Sequence, residues 1–89
     1  MIYFLDFRPE LDKKLKKLVK RNRKQYDIIM KKADEIVLNP NHYKSLRAPL
    51  QNLKEVHING HFVLTFSVDE NTKTVTLEDF EHHGKIFKD

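Results

Sequence analysis

Histidine is the residue type in this sequence best suited to proton transfer near neutral pH. Four of its five histidines lie in the last 33 residues, on or beside predicted strands: His57, His61, His82 and His83. Two imidazoles brought together could divide the roles of general base and general acid in cleaving a phosphodiester. RNA supplies its own nucleophile, the 2′-OH, so such a site needs no serine or cysteine. It does need cations to stabilise the phosphorus transition state.

Other interpretations of these histidines stay open. Surface histidines commonly have no function, and His82-His83 could simply end the last strand. Three or four imidazoles could bind zinc. However, His57 and His61 do not form a helical metal motif, because Asn59-Gly60 breaks any helix between them. The sequence contains no Gly-rich phosphate loop and no paired carboxylates with metal spacing, so we expect neither a metal nor another cofactor.

Three cations in or beside the loop before the predicted hairpin are candidates to bind substrate phosphate. They are Lys44, Arg47 and Lys54. Near the end of the chain, Phe87 could stack on a substrate base, a contact worth ~1–3 kcal/mol, or it could close the core. We assign the strand aromatics Phe62, Phe66 and Phe80 mainly to the core.

Charge is divided unevenly along the chain. The net charge is +4 and the isoelectric point is about 9.4, which suggests a polyanionic partner. Residues 1–49 carry 13 basic and 6 acidic side chains, whereas residues 50–89 carry 4 basic and 7 acidic ones. A lysine-rich helix that is merely solvated would explain most of the excess equally well.

Length and composition limit the protein class. Eighty-nine residues predict one domain spanning 1–89. The absence of cysteine excludes a disulfide scaffold, a thiolate zinc site and a cysteine nucleophile. The apolar N-terminus meets Asp6 too early for a signal-peptide core. Because no apolar run approaches the ~18–20 residues of a membrane span, we expect a soluble cytoplasmic protein without a membrane partner.

Two predicted helices follow an N-terminal strand. Residues Ile2–Phe7 are aromatic and branched throughout, which predicts the strand. Pro9 suits the first turn of a helix, and leucines at helical spacing continue this helix to about Asn22. A second helix over roughly Gln25–Leu38 stops before Pro40, since a residue preceding proline avoids the helical conformation. The short connection between them predicts an antiparallel helical hairpin.

The second half of the chain has the period of two that is typical of strands. Three strands are predicted, the first two joined at Asn59-Gly60, a strong hairpin signal, and the third running from Thr74 to Phe80. In the loop before them, Leu46 and Leu50 are expected to contact the core. The order β-α-α-β-β-β predicts an α+β fold in which the helical hairpin packs on one face of a small twisted antiparallel sheet.

This order of elements, together with several short motifs, resembles the RelE/ParE toxin superfamily. Within it, the chain is most similar to the YafQ-like branch of RNA-cleaving toxins, although the N-terminal strand is more like RelE itself. No single motif is specific, but their order is, and they span nearly the whole chain. The motifs are Tyr3-Phe4-Leu5-Asp6-Phe7, a Lys-rich helix with a leucine stripe, Asn39-Pro40, Tyr43-Lys44-x-Leu46-Arg47, Val56-His57-Ile58, Phe62-Val63-Leu64 and His83-x-x-x-Phe87.

The resemblance implies the toxin of a type II toxin–antitoxin system. Such a protein enters the ribosomal A site and cuts the bound mRNA by attack of the 2′-OH, leaving a 2′,3′-cyclic phosphate and a free 5′-OH. The implied partners are therefore the ribosome, with its RNA, and mRNA. A cognate antitoxin would wrap the toxin in a hetero-oligomeric complex and block it.

The implied roles transfer residue by residue. His57 and His83 match catalytic histidines of the YafQ-like pattern, and Phe87 matches its aromatic residue. His61 falls where that branch has an acidic catalytic residue, and Lys44 falls where it has another histidine. We predict that His57 and His83 flank the scissile phosphate as base and acid, in an order left open, with His61 as a third member.

The lysine- and arginine-based mechanism of RelE does not transfer. The positions of its basic catalytic residues fall near Glu55, His57, Val63, Glu81 and His83. The basic residues of the helices are instead expected to contact ribosomal RNA, since phosphate contacts position a protein without reading sequence. They are Lys13, Lys16, Lys17, Lys20, Arg21, Arg23 and Lys24.

Two alternative functions remain open. The same superfamily includes ParE-like inhibitors that bind DNA gyrase and cut no RNA, and a histidine cluster is not required for that activity. The other alternative is an RNA-binding toxin that has lost its activity.

Overall fold

A computed structural model of the chain describes residues 2–46 and 52–82. The described residues form β1 (Phe4–Phe7), α1 (Pro9–Arg21), α2 (Arg23–Leu38), a short 3-10 helix (Pro40–His42), β2 (Lys54–Ile58), β3 (Phe62–Asp69) and β4 (Thr74–His82). This order confirms the predicted α+β fold. The predictions for Arg47, Leu50, His83 and Phe87 lie outside the described residues.

The four strands form one sheet in the order β1-β4-β3-β2. Strands β2, β3 and β4 pair antiparallel as expected, but β1 pairs with β4 in parallel. The sheet is therefore mixed. A parallel pair needs a long crossover connection, and the elements between β1 and β4 supply it. The sequence pattern identified β1 as a strand but not the direction of its neighbour.

Both helices pack on one face of the sheet through their apolar stripes. Leu11 and Leu15 of α1 and Ile29 of α2 are buried against the strand residues Phe66 and Phe80. Phe62 packs against this cluster while partly exposed, which confirms the assignment of the three strand aromatics mainly to the core. None of the helices in the described residues is long and apolar enough to cross a membrane.

The junction of the helices is a single residue, Asn22. Its backbone N–H donates a hydrogen bond to the carbonyl of Leu18 in the last turn of α1, over 2.7 Å. Its side-chain oxygen accepts from Gln25 N over 3.1 Å and so caps the first turn of α2. One residue therefore ends α1 and begins α2, which fixes the predicted helical hairpin.

Replacing Asn22 with alanine should destabilise the fold by about 1 kcal/mol, because the capped N–H of α2 loses its acceptor. The measurement is the free energy of unfolding in urea. Asn22→Ser, which keeps a side-chain acceptor, should stay close to the wild type. Equal losses for the two variants would show that the cap does not matter.

The hairpin between β2 and β3 has the backbone that its sequence predicts. Asn59 and Gly60 have φ angles of 54° and 77°, values that glycine and asparagine tolerate best. The Asn59 side chain donates to Gln25 Oε1 over 2.6 Å. This contact fixes the turn to α2, and Gln25 is itself buried.

A polar network at the other end of the sheet centres on Glu70. Its carboxylate accepts hydrogen bonds from Lys73 Nζ at 2.9 Å, Tyr3 OH at 2.8 Å and Asn41 Nδ2 at 3.2 Å. These bonds, with that from Lys73 the largest influence, lower the pKa of Glu70 below its ordinary 4.5. The network thereby connects Tyr3, just before β1, with the 3-10 helix and the β3–β4 turn.

The sign of this shift predicts an acid-dependent contribution to stability. A carboxyl whose folded pKa is lowered stabilises the fold fully above its unfolded pKa of 4.5, and the effect is lost as pH falls through the lower folded value. Glu70→Gln should therefore lower the melting temperature at pH 7, and the difference from wild type should disappear near pH 2. A pH-independent difference would contradict the prediction.

Candidate functional site

Cross-strand pairing places His57 on the sheet face that the helices do not cover. His57 pairs with Val63, and Val63 pairs with Glu81. Directly paired residues point to the same side of a sheet, so these three side chains form one row. A second row consists of Glu55, Thr65 and Asp79. We call this surface, made of Glu55, His57, Val63, Thr65, Asp79 and Glu81, the site face.

Glu55 and His57 are neighbours on the site face because side chains two residues apart on a strand point the same way. Glu55 Oε1 lies 3.6 Å from His57 Nε2, and the imidazole is 51% exposed. A carboxylate at this position can orient the ring. The exposed part of the His57 ring can therefore meet a ligand while the Glu55 carboxylate orients it.

The centre of the site face is buried and lies between two paired strands. Val63 and Thr65 are fully or almost fully buried, and Thr65 Oγ1 donates to the carbonyl of Asp79 over 3.4 Å. Their strand is paired on both sides, with β2 and with β4. The paired strands therefore set the spacing between His57 and Glu81 in the first row and between Glu55 and Asp79 in the second.

Lys14 reaches the site face from α1. Its Nζ donates to Asp79 Oδ1 over 2.8 Å, to Glu81 Oε2 over 2.6 Å and to the carbonyl of Phe80 over 3.1 Å. Burial favours the neutral amine, but the hydrogen bonds and negative charges of Asp79 and Glu81 outweigh it, so the pKa of Lys14 is raised above 10.5. Lys14 therefore stays protonated at physiological pH.

A cleft of about 630 Å³ borders the second row of the site face. Its two cations are already paired, Lys14 as described and Arg8 with Glu78 at 3.3 Å. A phosphate entering this cleft would have to compete with carboxylates. The cleft is lined by Arg8, Glu10, Lys14, Leu46, Asn52, Leu53, Thr65, Ser67, Glu78 and Asp79.

His61 lies in the β2–β3 turn and contacts His82 rather than His57. The rings of His61 and His82 are parallel within 9°, with their centroids 6.4 Å apart. His82 pairs with Phe62, whose side chain packs against the core on the helix side of the sheet. The structure therefore separates the His61–His82 pair from His57, and the predicted catalytic role of His61 stays a prediction.

Of the cations predicted to bind substrate, Lys54 lies away from His57. Lys54 pairs with Phe66 of the core face, and its Nζ donates to the carbonyl of Tyr43 over 3.1 Å. Lys54 thus holds the loop before β2 on the face opposite to His57. Lys44 is exposed, and its carbonyl accepts from Glu55 N over 3.0 Å. Arg47, His83 and Phe87 lie outside the described residues.

The exposed cations of the helical hairpin form a second surface, which we call the basic surface. Two of its members have local ion pairs, Lys16 with Asp12 at 3.4 Å and Arg23 with Asp27 at 3.0 Å. Such exposed pairs are weak and leave the cations available to other partners. The basic surface comprises Lys13, Lys16, Lys17, Lys20, Arg21, Arg23 and Lys24, all exposed.

Sequence reasoning missed the contact of Lys14 with Asp79 and Glu81. The two acidic residues alternate along β4, which indicates a shared face. Lys14, however, lies among several lysines of α1, and the sequence does not distinguish it from them. Across residues 2–46 and 52–82, no group of three potential metal ligands lies close enough to hold an ion.

Comparison with known proteins gives relatives over nearly the whole length. No protein-family model matches the chain. It is 58% identical over 86 residues to an uncharacterized protein of Methanosarcina mazei, covering 97% of this chain and all of that one. It is 53% identical over 87 residues to a Methanocaldococcus jannaschii protein provisionally named toxin RelE4, covering 98% of this chain and 93% of that one.

Solved structures share the fold at lower identity. The toxin–antitoxin complex RelBE2 of Mycobacterium tuberculosis contains a chain with a TM-score of 0.76 at 21% identity, covering 93% of this chain and 100% of its own. A free double variant of Escherichia coli toxin RelE has a TM-score of 0.76 at 19% identity, with coverages of 99% and 90%. For E. coli YafQ the values are 0.72 and 14%, with coverages of 96% and 98%.

Proposed function

The chain belongs to the RelE family of toxins, and from this premise we propose that it is a ribosome-dependent mRNA endoribonuclease. The observation that carries the proposal is the position of His57. Its imidazole is half-exposed beside the Glu55 carboxylate, on a sheet face whose central residues are buried. A proton-transfer group that is open to substrate and held by a rigid strand suits general acid–base catalysis.

In the proposed reaction, a base removes the proton of the 2′-OH as this oxygen attacks the adjacent phosphorus. The bond from phosphorus to the 5′-oxygen breaks, and an acid gives a proton to that oxygen. The products are a 2′,3′-cyclic phosphate and a 5′-OH. His57 takes one of the two roles and His83 the other, and Glu55 orients His57.

The supporting groups have separate tasks. Phe87 would stack on a substrate base, and Lys44 and Arg47 would hold phosphates near the cut. His61 stays a candidate third member despite its contact with His82. Lys54, bound to the Tyr43 carbonyl, would support the loop before β2 that carries Lys44, so its predicted contact with substrate becomes an indirect one. No step of this scheme requires a metal.

The proposed partners are the ribosome, the mRNA in its A site and a cognate antitoxin. The basic surface supplies the charge for binding ribosomal RNA. The chain in the mycobacterial RelBE2 complex has the same fold as this one. By that likeness we propose that an antitoxin binds this toxin in a hetero-oligomeric complex in the cytoplasm.

Mapping of mRNA ends tests the proposal. The purified toxin is added to ribosomes stalled on a defined mRNA, and to the same mRNA alone. New ends at the A-site codon, carrying a cyclic phosphate and appearing only with ribosomes, are the expected result. Intact mRNA together with inhibited DNA supercoiling would instead support the gyrase-inhibitor alternative. The observation that favours this alternative is the set of carboxylates on the site face, because negative side chains repel RNA but can bind basic residues of a protein partner.

A further inference from the structure

Lys14 occupies a gap at the edge of β4. Strand β1 pairs with β4 only as far as Leu77, so no described strand covers the following residues on that side. At this edge the Phe80 carbonyl accepts a hydrogen bond from the Lys14 ammonium, over 3.1 Å, instead of one from a neighbouring strand. It also bridges the side chains on either side, Asp79 and Glu81, at 2.8 and 2.6 Å.

The charge around His57 makes this bridge significant. Among the described residues, Glu55 lies beside His57 on its own strand, and Val63 lies beside it on β3. Glu81 follows Val63 in the same row, on β4, two strand spacings or about 10 Å from His57. Asp79 lies in the next row, about 7 Å further along β4. The site face therefore carries three carboxylates, and an RNA phosphate that approaches His57 is repelled by each of them.

Lys14 differs from the other lysines of α1 in where its charge lies. The basic surface points into solvent, whereas Lys14 is partly buried and its ammonium contacts two carboxylates of the site face. Because salt screens interactions beyond roughly 8–10 Å, a charge bound at the edge of the site face acts on RNA lying across that face more strongly than charges of the basic surface do.

We propose that Lys14 is a positioning residue of the RNA site, which acts by partly neutralising Asp79 and Glu81 so that the substrate phosphate can reach His57. This inference rests on the proposed nuclease function. Lys14 itself transfers no proton and contacts no reacting atom. It lowers the electrostatic cost of placing RNA on an acidic sheet face, and its bond to the Phe80 carbonyl keeps the ammonium at that face.

The test compares Lys14→Met with wild type in cleavage of mRNA on programmed ribosomes. We expect KM for the programmed ribosome to rise about three- to tenfold, in keeping with the loss of one close charge, while kcat changes less. The defect should shrink as salt is raised from about 50 to about 300 mM, because screening weakens the uncovered repulsion. A purely structural role would not give this salt dependence.

A matched control removes an ion pair elsewhere. Lys32 Nζ lies 3.1 Å from Glu35 Oε1 on α2, and the lysine is about as accessible as Lys14. Lys32→Met should leave KM unchanged at all salt concentrations. Lys14→Arg, which keeps the charge, should stay within about twofold of wild type. Melting curves of all variants establish that each is folded.

Removal of the carboxylates distinguishes neutralisation from direct contact with RNA. In Lys14→Met combined with Asp79→Asn and Glu81→Gln, KM should return to near the wild-type value. If Lys14 contacts the phosphate itself, the triple variant will stay as defective as Lys14→Met, and the inference is overturned. An unchanged KM in Lys14→Met would overturn it as well.

A binding assay separates this inference from the nuclease proposal. The same variants are tested for affinity to ribosomes carrying mRNA with 2′-deoxy nucleotides in the A-site codon, which cannot be cut by 2′-OH attack. If wild type cuts no natural mRNA but the loss and restoration of affinity follow the expected pattern, the nuclease proposal fails and the role of Lys14 stands. If wild type cuts mRNA but the affinities do not follow that pattern, the nuclease proposal stands and the role of Lys14 is overturned.

Discussion

Replacing His57 with alanine should slow mRNA cleavage on programmed ribosomes by about 10²–10⁴-fold, the usual contribution of a general acid or base. The expected loss is in kcat, measured under single-turnover conditions with ribosomes in excess. The physical reason is that the 2′-OH loses its proton acceptor, or the departing 5′-oxygen its proton donor.

Two controls make the His57 result specific. His42 lies in the 3-10 helix with its ring edge-on to Tyr43, and His42→Ala should cut at the wild-type rate. Ribosome affinity of His57→Ala should also be unchanged, because His57 does not belong to the basic surface. If His57→Ala and His83→Ala both keep full toxicity, the nuclease proposal is wrong, and inhibition of supercoiling becomes the measurement to make.

The sequence predicted those parts of the fold that depend on local signals. The apolar spacing of Leu11 and Leu15 indicated the buried face of α1, and Asn59-Gly60 indicated a hairpin turn, which has two positive φ angles. These features are set by residues a few positions apart. The parallel pairing of β1 with β4 joins distant parts of the chain, and nothing within the strand itself encodes its direction relative to a neighbour.

The site shows the same division between local and distant information. Alternation along β2 is local information, and it puts Glu55 and His57 on one face of the strand. The resemblance groups His61 with His57 because His61 falls where the YafQ-like branch has an acidic catalytic residue. In the structure the ring of His61 stacks on that of His82, a contact that strand alternation does not predict because it cannot be counted through a turn. The role of Lys14 could not be predicted, because the rotation of α1 relative to β4 decides which of its lysines meets Asp79 and Glu81.

The uneven charge noted in the sequence has a counterpart in the structure. Exposed cations occupy the helical hairpin, and the site face carries carboxylates that are partly neutralised by Lys14. Under the proposed function, the basic surface binds the ribosome and the site face carries out the cleavage. Changing the charge of the helices should therefore alter the affinity of the toxin for ribosomes without altering the rate of the chemical step.

Charge reversal on the basic surface tests this division. The triple variant Lys13→Glu, Lys16→Glu, Lys20→Glu should bind ribosomes on the order of 10²-fold more weakly at moderate salt, because three phosphate contacts become repulsions. The slope of log affinity against log salt should become shallower by about 2–3, as fewer counterions are released. Sedimentation of the toxin with ribosomes at several salt concentrations measures both quantities.

The rate of the chemical step should not depend on the charge of the basic surface. With ribosomes at saturating concentration, the triple variant should cut at a rate close to wild type, because none of the three lysines is in the rows that contain His57. The single reversals Lys20→Glu and Lys31→Glu form a matched pair of exposed helix positions inside and outside the basic surface. Unchanged affinity in the triple variant, or equal losses in the two single variants, would mean that the helical charge is only solvated and that the ribosome is bound through another surface.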